Sequence, residues 1–136
     1  MGRGEAEAKP PSIEPAMRTI AMPADANPNG DTFGGWLMAQ MDLAGAVPAF
    51  RRTHGRVATV AVDAMLFHRR VFVGDLVSCY ARTEKVGRTS ITVAVETWVE
   101  QRRDGSHEKV TEGLFTYVAL DGEGRLRPVD GKDQKD

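Results

Sequence analysis

Between residues 33 and 47 the apolar side chains recur at helical spacing, with Leu37, Met41 and Ala44 on one stripe and Trp36 and Gln40 beside it. A helix is predicted from Phe33 to about Val47. Pro48 lacks an N–H and crowds the carbonyl four residues back, so the helix is expected to end or kink there. Ahead of it, Pro23 to Thr32 is turn chemistry, with Pro, Asp, Asn-Pro and Asn-Gly in close succession. The short apolar-rich run Met17 to Met22 predicts a first strand. Beyond the helix the period changes. Val57 to Phe67 is rich in Val and Thr with blurred alternation, which predicts a strand covered on both faces. Gly74-Asp75 marks a turn before a strand over Leu76 to Glu84, and Gly87 sits in the next turn. Ser90 to Glu100 alternates Ile91, Val93, Val95, Thr97 and Val99; Gln101 to Glu108, with Asp104-Gly105 inside it, reads as a hairpin loop. Val110 to Leu120 closes the series with Val110, Leu114, Val118 and Leu120 on one side, and Asp121-Gly122 ends it.

The element order is one short strand, one long helix and four strands joined mostly by short turns, which is an α+β layer design. One helix covers only part of a curved sheet, so uncovered strand edges and rim predict dimerisation. At 136 residues the chain is expected to form one domain. The polar, Pro-containing stretch 1–15 and the charged stretch 130–136 are expected to be disordered tails around a domain spanning 16–129. A formal charge of −1 gives no basic field to attract nucleic acid. No apolar run approaches the roughly 20 residues that span a bilayer, and the N-terminus has no signal-peptide core. One cysteine, Cys79, excludes an intramolecular disulfide and a Cys-based zinc site. A soluble cytoplasmic protein is expected.

The densest candidate chemistry lies between Asn27 and Asp42, where a polar loop passes through Gly34-Gly35 into the apolar helix. The first N–H groups of a helix have no internal partner and can face a developing oxyanion, and glycine lets a ligand come close. Asp42 lies at the edge of the apolar stripe, two turns in. It is either a solvated acid on a helix flank or a general base that activates water. At about 1.5 Å per residue, Asp42 is about 10 Å along the helix from Gly35, so the two cannot form one tight cluster. Asn27 and Asp31 are turn formers, and Asp31 or Thr32 could cap the helix; alternatively, one of them orients the water or a substrate carbonyl. The hairpin Lys85-Val86-Gly87-Arg88-Thr89-Ser90 and the run His54-Gly55-Arg56 are either solvated turns or cationic sites for a phosphate-bearing ligand. The three histidines are well separated and have no ligand spacing, and no GxSxG, P-loop or GxGxxG occurs. No metal or organic cofactor is expected.

Taken together, several separated motifs resemble one family. Asn29-Gly30-Asp31-Thr32-Phe33-Gly34-Gly35-Trp36-Leu37-Met38-Ala39-Gln40-Met41-Asp42 is similar to the corresponding stretch of the YciA-type acyl-CoA thioesterases, relatives of brain acyl-CoA hydrolase with the hotdog fold. The resemblance continues through Gly55 to Asp63, Val73-Gly74-Asp75, Lys85 to Ser90 and Phe115 to Asp121, covering roughly residues 17–128. It implies a long helix wrapped by a curved antiparallel sheet of about five strands, a dimer with active sites at its interface, and a trimer of dimers. Asp42 is implied as the catalytic carboxylate, with the Gly34-Gly35 segment polarising the thioester carbonyl, Gly35 first among its donors, and the loop carrying Asn27 and Asp31 shaping the site. His54, Arg56, Val57 and Thr59, together with the hairpin residues Lys85, Gly87, Arg88, Thr89 and Ser90, are implied contacts of the substrate and its CoA. The substrate implied is an acyl-CoA. A non-catalytic acyl-CoA-binding module and a hotdog hydratase or dehydratase are the alternatives. The latter generally rely on a catalytic histidine, which this helix lacks. Arg70-Val71 departs from the Pro-Val common in the family and adds a charge near the strand end.

Overall fold

The computed structural model describes residues 9–131, so the tails expected at the two ends lie partly outside the described residues. Five strands form one antiparallel sheet in the order β1-β3-β4-β5-β2: β1 Met17–Ile20, β2 Arg56–Phe67, β3 Leu76–Val86, β4 Ser90–Glu100 and β5 His107–Leu120. A single helix, α1, spans Gly34–Thr53, and a 3-10 turn covers Pro23–Asp25. The predicted strands hold to within a few residues, and β4 has the predicted ends.

The helix does not stop at Pro48. It runs on through Thr53, with Pro48 in its interior. One missing hydrogen bond there is offset by packing, because Ala44 and Ala49 bury against the sheet and Thr53 is buried at the last turn. Termination comes instead at His54, which takes left-handed backbone angles (φ 57°) and donates its N–H to the Phe50 carbonyl at 2.8 Å. The buried Arg127 guanidinium then donates to the Thr53 carbonyl at 2.7 Å, placing a cation on the negative end of the helix. Gly55 has no room for a side chain, since a Cβ there would lie 2.7 Å from that guanidinium.

The stripe Leu37, Met41, Ala44 is buried as predicted: Met41 and Ala44 pack in one cluster with Ile91, Val93 and Val95 of β4 and Phe115, Tyr117 and Ala119 of β5, while Leu37 packs in a second with Ala21, Val71, Val77, Val99 and Val110. On β5 the core takes the face opposite to Leu114, Val118 and Leu120, which are only half-buried. Size decides this. The residues between them include the two large rings, Phe115 and Tyr117, and these fill the space under the helix. Cys79 is a small core residue whose thiol is pushed up to about 11 by burial, against a weaker opposing contact from Thr97.

β2 also differs from expectation. It is not covered on both faces: it is an edge strand, hydrogen-bonded on one side only, to β5, and much of its length is exposed. Its Val- and Thr-rich sequence therefore reflects an uncovered edge rather than a buried centre. Register breaks at Val60 and again between Asp63 and Leu66, where Ala64 adopts a positive φ of 53°. Such bulges bend a strand and sharpen its twist. Val60, Leu66 and Phe67 on this strand, and Leu43 and Phe50 on the helix, remain exposed.

Candidate active site

Asp42 sits on the flank of α1 beside the start of β2. Its carboxylate Oδ1 accepts a hydrogen bond from the Thr59 hydroxyl at 2.6 Å. Its main-chain carbonyl accepts a second bond from the Tyr117 hydroxyl at 2.8 Å. The phenol reaches this carbonyl because position 45 is glycine. A Cβ there would lie 3.1 Å from the Tyr117 Cζ and closer still to its oxygen. Burial first, and then the charge of Asp42, raises the Tyr117 pKa well above its ordinary value, so the hydroxyl remains a donor. The sheet thus holds Asp42 from both sides, with Thr59 fixing its side chain and Tyr117 fixing its backbone. The solvated-flank reading of Asp42 does not anticipate either contact.

Thr59 was expected to touch substrate; here it is bonded to the acid itself. Thr59→Val keeps shape and β propensity but removes the donor. We expect kcat to fall by about 10–150-fold, in line with about 1.5–3 kcal/mol for a hydrogen bond to a charged group, with KM changed far less. Steady-state kinetics checks this, and an unchanged kcat would show that the Thr59 bond to Asp42 has no catalytic consequence.

The start of α1 lies at the other end of the helix. Phe33, not Asp31 or Thr32, is the N-cap residue, and no side chain caps the helix. The Trp36 and Leu37 N–H groups bond the Phe33 carbonyl, while among the described residues the Gly34 and Gly35 N–H groups have no acceptor. Nothing lies within 4 Å of the position a Gly35 Cβ would occupy, so a ligand can approach the backbone closely on that side. Asn27 shapes the preceding loop, its Oδ1 accepting from the Asn29 N–H at 2.8 Å. Asp31 is buried, bridges to Phe72, and meets Arg70 at 3.5 Å. Arg70, the departure from the family pattern, supplies a counter-ion for a buried carboxylate, and Val71 beside it is buried.

The expected site residues consequently fall into two groups. Asp42, Thr59, Val57, Arg56 and His54 share one end of the sheet with the β3–β4 hairpin. There Ser90 pairs with Val118, Arg56 with Leu120, and the Ala119 N–H donates to the Thr89 carbonyl at 3.0 Å. Asn27, Asp31, Gly34 and Gly35 gather at the opposite end, against Phe67 and Phe72. Within one protomer the donors and the acid are separated along the helix, at about 1.5 Å per residue. Tyr117 and Gly45 are the positioning residues that the sequence reading missed. An isolated glycine inside an apolar helical stripe is the signal that could have found them.

Among the described residues no group of His, Cys, Asp and Glu is placed to hold a metal ion. No helix there is long and apolar enough to cross a membrane.

Comparison with known proteins agrees with this geometry. The Thioesterase superfamily profile matches residues 29–106. The acyl-CoA thioester hydrolase YciA of Salmonella typhimurium is 53% identical over 122 residues, which is 88% of this chain and 92% of that protein. The crystal structure of a hexameric thioesterase from Yersinia pestis superposes with a TM-score of 0.84 at 50% identity, covering 89% of this chain and 99% of its own. A hexameric broad-specificity acyl-coenzyme A thioesterase, solved as a variant with one aspartate replaced by alanine, superposes with a TM-score of 0.82 at 46% identity over 89% of this chain and 90% of its own. The chain belongs to the thioesterase superfamily, in the YciA branch of its acyl-CoA thioester hydrolases.

Proposed function

We propose that the chain hydrolyses acyl-CoA thioesters to free CoA and a carboxylic acid, with Asp42 as general base and the N–H groups at the start of α1, Gly35 first, as the oxyanion donors. The observation that carries this reading is the Asp42 carboxylate held at 2.6 Å by Thr59. Asp42 takes a proton from water as the water oxygen bonds to the thioester carbon. The carbonyl π pair moves onto oxygen, where the helix-start N–H groups meet it. Collapse of the tetrahedral intermediate breaks the C–S bond and expels CoA thiolate. The proton held by Asp42 can return to the thiolate. A thiolate leaves readily, so no strong acid is required, and no cofactor enters any step.

Separation of donors from acid within one protomer supports a site shared between two. β2 is an edge strand with exposed apolar side chains, and the helix flank beside it exposes Leu43 and Phe50. Pairing of two β2 edges antiparallel about a two-fold axis would bring the Gly34-Gly35 end of one protomer beside the Asp42 end of its partner. We further propose that three such dimers assemble into a hexamer, as in the hexameric relatives. The basic residues Arg56, Lys85 and Arg88 at the Asp42 end, with His54, Val57, Gly87, Thr89 and Ser90 around them, would hold the CoA phosphates.

The test is thiol release from a panel of acyl-CoA substrates, short to long, followed with a thiol reagent. Cys79 is fully buried with its pKa pushed up to about 11, so the native protein adds no background. Steady release from at least one substrate is expected; no release from any chain length overturns the proposal. Light scattering of the purified protein should give six chains per particle.

A further inference from the structure

Gly34 and Gly35 are adjacent, but their surroundings differ. Beside Gly35 there is open space. Gly34 lies under the ring of Phe67, at the end of β2, such that an added Cβ would come 3.3 Å from Cε2 and 3.4 Å from Cζ. That ring is 48% exposed. It is therefore not a core residue: one ring edge packs beside Gly34, which with Gly35 carries the two N–H groups that lack acceptors, and about half of its surface is open.

We propose that Phe67 is a specificity-determining residue that reads the substituent on the thioester carbonyl. The inference rests on the oxyanion role given above to the helix start. A carbonyl oxygen seated on the Gly35 N–H leaves its carbon, and the first atoms beyond it, next to the Phe67 ring. A flat aromatic wall offers dispersion contacts to an unbranched methylene chain. It also leaves no room for a branch at the α carbon. Glycine at position 34 lets the wall stand this close, because any side chain there would have to push the ring outward. Phe67 is thus a contact of the acyl group and takes no part in proton transfer.

The experiment compares kcat/KM for n-butyryl-CoA and isobutyryl-CoA in the wild-type protein and in Phe67→Ala and Phe67→Leu. The two acyl groups are isomers that differ in where one methyl sits, and contacts of a single methyl or methylene in an apolar pocket are worth roughly 10–200-fold. Wild-type enzyme is expected to prefer the linear substrate. Phe67→Ala is expected to shift the isobutyryl/n-butyryl ratio by about tenfold toward the branched substrate, and Phe67→Leu by less in the same direction. Equal loss on both substrates, or an unchanged ratio in both variants, overturns the proposal and reduces Phe67 to a packing residue. Circular dichroism and light scattering on the variants separate a lost fold from a changed preference. If Phe67→Ala fails to fold, the Leu variant still gives the ratio. Wild-type protein that cleaves neither butyryl substrate, or that shows no preference for the linear one, also overturns the proposal; the hydrolase reading fails only if no acyl-CoA of any chain length is cleaved.

Discussion

Asp42→Asn is expected to lower kcat by about 10²–10⁴-fold, the range lost with a positioned general base, while KM stays within a few-fold of the wild-type value. Asparagine keeps the side-chain oxygen that accepts the Thr59 hydroxyl, and it keeps the main-chain carbonyl that accepts from Tyr117. The anchoring of residue 42 on the sheet therefore survives, and so should stability. Only the capacity to take a proton is lost. Single-turnover and steady-state thiol release on one good substrate, with a melting curve as control, checks both halves. Activity within about threefold of wild type would remove Asp42 as the base, whatever the resemblance to other thioesterases.

Gly45→Ala is expected to destabilise the protein, although it adds only one methyl group to a helix. Alanine normally favours a helix over glycine by roughly 1 kcal/mol. Here the added Cβ meets the rigid ring end of Tyr117, 3.1 Å from Cζ and 3.2 Å from Cε1, with the hydroxyl oxygen nearer still. Overpacking of this kind costs about 1–3 kcal/mol, so the melting temperature should fall by several degrees despite the gain in propensity. Activity should fall as well, because the same hydroxyl fixes the Asp42 carbonyl. Tyr117→Phe alone should cost about 1 kcal/mol for the lost bond. The double variant should regain part of the stability that Gly45→Ala loses, since the closest atom is gone, giving a non-additive cycle. Additive losses would show that the two positions do not interact, and a stabilised Gly45→Ala protein would contradict the packing described here.

The strands and hairpins were legible because each carries its own local signal. Ser90 to Glu100 alternates cleanly, and its two ends are turns marked by Gly87 and by Asp104-Gly105. The start of the helix was legible for the same reason. Its C-terminus was not, because Pro48 is a strong local breaker overridden by a non-local effect, the burial of Ala49 and Thr53 and the guanidinium of Arg127 on the last turn. The misreading of β2 has a similar origin. A Val- and Thr-rich strand has one sequence pattern whether it is buried in a sheet centre or lies at an edge awaiting a second chain, and only the sheet order β1-β3-β4-β5-β2 tells them apart.

For the site, sequence alone determined the chemical inventory: a glycine pair opening a helix, an acid two turns later, and a basic hairpin, in an order that resembles one thioesterase branch. These are properties of residue type and spacing along the chain, which the helical rise turns into distances. Tertiary structure decided what fixes that acid. Thr59 and Tyr117 lie 17 and 75 residues from Asp42, and their bonds to it depend on the β2–β5 pairing that sets Thr59 opposite Tyr117. Tertiary structure likewise decided that position 34 faces a ring and position 35 faces open space, a difference between two identical residues that no local sequence rule encodes.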